Sequence, residues 1–138
     1  MPTPYSRSQF PPVPILKVKI SAPREAAHEE QMPALIDTGA DFTLVPLSWL
    51  LRVDAPEEGW AYARGLWSEQ RQVTLYLINL HLDIGILPGI EVVGIEDDEE
   101  NEVDREIVLG RNVLNQMILL LDSLQEQTDV LNRRPSKL

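Results

Sequence analysis

Leu35-Ile36-Asp37-Thr38-Gly39-Ala40-Asp41 decides how this chain folds, and a second stretch, Ile107-Val108-Leu109-Gly110-Arg111-Asn112, completes the decision. In the first, an apolar approach that begins at Met32 runs into an acid, a hydroxyl residue and a glycine. Phe42-Thr43-Leu44-Val45 then resumes an apolar, β-branched run of strand type. Asp37 thus stands on a tight connection between two strands, where Gly39 lets backbone approach closely. Asp-Thr-Gly alone also suits an ordinary Asx-type turn. The downstream stretch changes that, because it is again an apolar strand stopped by glycine and followed by a helical start.

Outward from these stretches the chain alternates in the two-residue period of half-buried strands. Upstream, Leu16, Val18 and Ile20 alternate with Lys17 and Lys19, and Ala22 to Gln31 is a polar connection. After Val45, Pro46 opens a short helix through Leu51. From Gly59 to Leu82 a long hairpin is expected. Trp60 and Tyr62 share one face of its first strand, and Arg64-Gly65 sits at the turn. Tyr76, Ile78, Leu80 and Leu82 form the apolar face of its second strand, opposite Asn79, His81 and Asp83. A strand from Ile90 to Ile95 leads into an acidic loop. Past Gly110 a brief helix is expected from about Arg111 to Gln116, then a closing hairpin, Ile118–Leu121 and Thr128–Leu131. The sum is all-β with one or two short helices. Residues 1–14 hold five of the eleven prolines and read as a flexible Pro-rich arm, 15–132 as the domain and 133–138 as a C-terminal tail.

Composition removes several classes of function. The chain has 138 residues, enough for one modest core, and no cysteine, which excludes disulfide scaffolds, thiol nucleophiles and cysteine zinc sites. A net charge of −10 argues against nucleic acid and anionic membrane as partners. Glu96 to Glu106 carries eight acids and one Arg but lacks the ligand spacing and central glycine of a calcium-binding loop, so it reads as solvated. His28 and His81 have no ligand set at metal spacing. No apolar run approaches the length of a membrane span, and the N-terminus has no secretory pattern, so a soluble, cytoplasmic protein is expected.

The two stretches, in this order, resemble the retropepsins, the aspartic protease family of retroviruses and their cellular relatives. That family's pattern is an apolar pair, Asp-Thr-Gly-Ala-Asp, a flap hairpin, and an apolar strand closed by Gly-Arg-Asn or Gly-Arg-Asp. The resemblance implies a retropepsin-like acid protease barrel assembled as a two-fold homodimer. Asp37 matches the catalytic aspartate, with Thr38 and Gly39 supporting the active-site loop and Thr38 bonding across the dimer. Gly39, Ala40 and Asp41 would meet the peptide substrate, and Leu66 or Trp67 of the flap would either cover it or simply pack the hairpin. Asp41 and Arg111 form either a purely structural ion pair or a hold on the peptide. Viral flaps are glycine-rich at the tip, whereas Trp60 to Val73 contains only Gly65.

Peptide hydrolysis of this kind needs a carboxylate base and a carboxylic acid together. In aspartic proteases generally, two such groups about 3 Å apart share one proton and titrate as a pair. This chain has one Asp-Thr-Gly, so a second copy must supply the partner across a two-fold axis. No metal or cofactor is implied. The alternative is a non-catalytic dimerisation or peptide-binding module on the same fold.

Overall fold

The computed structural model describes residues 2–64, 70–96 and 106–136. Among these it has ten strands and two short helices. The strands are β1 (Thr3–Pro4), β2 (Ile15–Ser21), β3 (Met32–Ile36), β4 (Thr43–Pro46), β5 (Glu57–Arg64), β6 (Gln70–Leu82), β7 (Gly85–Ile95), β8 (Ile107–Leu109), β9 (Ile118–Asp122) and β10 (Gln127–Leu131). Helix α1 is Leu47–Arg52 and α2 is Arg111–Leu114. Pro46 ends β4 and caps α1 instead of opening it, since its φ of −56° goes with an extended ψ of 135°. Helix α2 stops at Leu114, two residues short of the expected end. Strand β7 begins five residues before Ile90, because Asp83 and Ile84 turn the chain tightly enough for Gly85 to face Leu82.

One sheet runs β2-β3-β8-β4-β7-β6-β5, and an additional β2–β6 pairing closes it into a barrel. The alternation seen in the sequence decides what lies inside. Leu16, Val18 and Ile20 of β2 are buried, as are Tyr76, Ile78 and Leu80 of β6, Ile90 and Val92 of β7, and Ile107 and Leu109 of β8. Among the described residues β5 pairs only with β6, and that ladder continues to Arg64 and Gln70, past Leu75 where the β6–β7 pairing ends. A second sheet, β1-β10-β9, joins the closing hairpin to the N-terminus, with Thr3 opposite Thr128 and Pro4 opposite Gln127. Residues 7–12 then form an exposed loop closed by mutual Ser6–Val13 hydrogen bonds of 2.8 and 3.0 Å. Among the described residues no helix is long and apolar enough to cross a membrane.

Candidate active site

Strand β8 lies between β3, to which it is parallel, and β4, to which it is antiparallel. The connection from β3 to β4 must therefore cross the end of β8, and this connection is Asp37 to Phe42. The crossing is tight. A Cβ on Gly110 would lie 2.4 Å from the Phe42 carbonyl oxygen and 3.0 Å from that of Ala40, so only glycine fits where β8 ends. The contact is then closed by backbone: Asp37 N–H donates to Leu109 O at 3.1 Å, Arg111 N–H to Ala40 O at 2.8 Å, and Asn112 N–H to Asp41 O at 3.3 Å.

Within the loop, Asp37 Oδ1 accepts from the Gly39 N–H at 2.9 Å and Ala40 N–H donates to the Asp37 carbonyl at 3.2 Å, which makes an Asx-type turn. Asp37 is half-buried, and the Thr38 and Gly39 that follow are exposed. Arg111 reaches back over the loop. Its Nη1 donates to Thr38 O at 2.8 Å, and its Nη2 is paired with Asp41. Both side chains are well exposed, so the pair adds little stability and acts mainly to hold the loop's shape.

Asn112 has a part that the sequence did not disclose. Its Oδ1 accepts from the Thr43 N–H at 3.0 Å and the Thr43 hydroxyl at 2.8 Å, while its Nδ2 donates to Glu91 O at 2.8 Å. The Thr43 hydroxyl in turn accepts from the Gly110 N–H at 3.1 Å. One amide thus ties β4, β7 and the start of α2 together directly beneath the loop. The only trace in the sequence is an amide placed immediately after Gly-Arg.

Beside this loop an open cleft runs between the barrel and the β5–β6 hairpin. Gly39, Ala40 and Asp41 line one side, and Tyr62, Gln72 and Thr74 line the other, with Tyr76 and Gly94 farther along. Burial, and secondarily the Glu57 carboxylate, push the Tyr76 hydroxyl above its ordinary pKa, so it stays a neutral phenol. Asp37 itself does not line the cleft, whereas Gly39, whose N–H bonds the Asp37 carboxylate, does. Leu66 and Trp67 lie outside the described residues. Among the described residues no three His, Asp or Glu side chains gather as a metal-ligand set. His81 lies on the face opposite the core, as the alternation expects, paired with Lys19; it is half-buried there and bonded through Nε2 to the Ser21 hydroxyl at 2.8 Å.

No protein-family model and no curated protein sequence matches the chain. Solved structures do. The EIAV protease complexed with the inhibitor HBY-793 superposes with a TM-score of 0.57 at 13% identity, covering 80% of this chain and 93% of that one. A retropepsin-like aspartic protease from Rickettsia conorii gives 0.54 at 11% identity, covering 93% and 86%. The retroviral protease-like domain of Ddi1 from Leishmania major gives 0.53 at 14%, covering 88% and 91%. At these identities the likeness is one of fold, and the fold is the retropepsin-like barrel.

Proposed function

We propose that this retropepsin-like chain is an aspartic endopeptidase that works as a two-fold homodimer, with Asp37 of each copy forming the catalytic dyad. The observation that carries the proposal is the setting of Asp37. It opens the loop that crosses the end of β8, with the carboxylate held by the Gly39 N–H and the loop braced by Arg111, next to a cleft roofed by a hairpin. In one copy the carboxylate stands at the margin of the cleft. A site on a symmetry axis would have this incomplete look in a single chain, because each copy supplies half of its walls.

In the dimer one Asp37 is ionised and draws a proton from water, which attacks the scissile carbonyl. The other is protonated, donates to the carbonyl oxygen, and the dyad later returns a proton to the departing amine. Thr38, exposed beside Asp37, would bond across the axis to brace the two loops. The substrate is an extended peptide lying as a strand between the hairpin and Gly39, Ala40 and Asp41, bonded along its main chain.

The copies would meet through β9. Among the described residues it is the edge of its sheet, and Ile118-Leu119-Leu120-Leu121 offers an outer edge with no charge until Asp122. Leu120 and Leu121 are 43% and 42% exposed. An uncharged edge of this kind invites strand pairing, and β9 against its own copy is antiparallel by symmetry.

The test is cleavage of an unfolded protein library by the wild-type chain and by Asp37→Asn, read by mass spectrometry. Wild-type chain is expected to cut, and the variant to lose at least about a thousandfold in rate, since neither copy then offers a carboxylate. Equal product from both would leave the fold as a binding or dimerisation module.

A further inference from the structure

Trp60 and Tyr62 leave 58% and 63% of their surfaces exposed, and their rings meet edge to face, with centroids 5.3 Å apart and planes at 81°. The ladder of the hairpin says which way they look. Trp60 lies opposite Thr74 and Tyr62 opposite Gln72, and directly opposed residues share a face. Gln72 and Thr74 belong by two-residue alternation to the face of buried Tyr76, and both line the cleft together with Tyr62. Tyr62 itself lines the cleft, and Trp60, on the same face of the hairpin and edge to face with it, carries that aromatic surface on past the lining.

We infer that the Trp60–Tyr62 pair is a specificity element that selects peptides carrying an aromatic side chain where the extended chain passes under β5. This rests on the reading of the cleft as a peptide site. Another ring completes the edge-to-face arrangement and buries apolar surface on both partners. Charge favours a cationic side chain less: of the two acids lining the cleft, Asp41 is already paired with Arg111 and Glu96 is offset by Arg71 in the same lining.

The experiment measures binding to a chain carrying Asp37→Asn, which does not cut. Labelled octapeptides of Ser and Ala, with Phe, Lys or Ala placed at each position in turn, are titrated by fluorescence anisotropy. At one position Phe is expected to bind roughly tenfold or more tightly than Ala, and Lys no better than Ala. Adding Trp60→Ala and Tyr62→Ala is expected to bring Phe and Ala within about threefold of each other. Trp60→Gln alone, milder on an exposed strand, is expected to fall between. No position with a Phe preference, a preference that survives the double change, or a preference for Lys overturns the inference. Because the readout is binding, absence of cleavage by wild-type chain would defeat the endopeptidase reading while leaving this result to stand or fall by itself.

Discussion

Asn112 reaches three segments with one planar group, and the cost of losing it follows from what it leaves behind. Thr43 is wholly buried, so without Asn112 Oδ1 its N–H and hydroxyl would lose their acceptor in a place water cannot reach. A buried unsatisfied donor costs about 1–3 kcal/mol. Asn112→Ala is expected to destabilise the chain by roughly 2–4 kcal/mol in urea denaturation. Asn112→Asp, which keeps the acceptor for Thr43 but sets a charged carboxylate oxygen against the Glu91 carbonyl, is expected to lose less than the alanine variant. If the alanine variant unfolds within the error of wild type, the amide is not the tie described. Asp37, Thr38, Gly39, Asp41 and Arg111 were all visible at this scale because they sit in two contiguous stretches. Thr43 was not, since its partner is 69 residues away.

At the scale of elements, the β2–β6 junction that closes the barrel carries a titratable bond. His81 of β6 meets Ser21 of β2, and the two strands pair there from Lys19 to Ser21. Burial, and secondarily the charge of Lys19, lower the His81 pKa from its ordinary 6.5. The unfolded chain therefore takes up a proton at His81 before the folded chain does. The stability due to this group is full above pH 6.5 and is lost as pH falls below it toward the depressed folded value. Denaturation midpoints measured from pH 7.5 to 5 are expected to decline, and His81→Gln is expected to flatten that decline. An unchanged pH profile in the variant would show that other groups set it. The two-residue alternation placed nearly every strand correctly. It also put His81 on the outer face, where the register with Lys19 holds it, but periodicity tells which residues share a face, not which neighbour will bond there, so the Ser21 partner was not legible.

For the whole molecule, the proposed chemistry requires a second copy, and the exposed edge of β9 is where the single chain is least finished. Leu120→Lys places a charge on that edge without disturbing the buried core. The variant is expected to sediment as a monomer at concentrations where wild-type chain is a dimer, and to lose cleavage in proportion, with its far-UV circular dichroism unchanged. A variant that remains dimeric and active would place the interface elsewhere. Retention of the dimer with loss of cleavage would instead point to a change within the cleft.

The sequence by itself determined the strands, the tight acid-bearing turn and the order of the two glycine-stopped stretches. It also determined that one chain carries a single Asp-Thr-Gly, the fact on which the proposal of a two-fold partner rests. All of these are local properties of composition and spacing, legible because side-chain period and turn chemistry act over a few residues. Only the tertiary structure decided that the Asp37 loop crosses the end of β8, which is why Gly110 and Asn112 are required there. It also decided that β2 closes on β6, and that Thr3 and Pro4, in a stretch with no periodic pattern, pair with β10. Strand partners are chosen by contacts between residues far apart in the chain, through backbone groups that every residue carries alike, and a linear pattern holds no record of that choice.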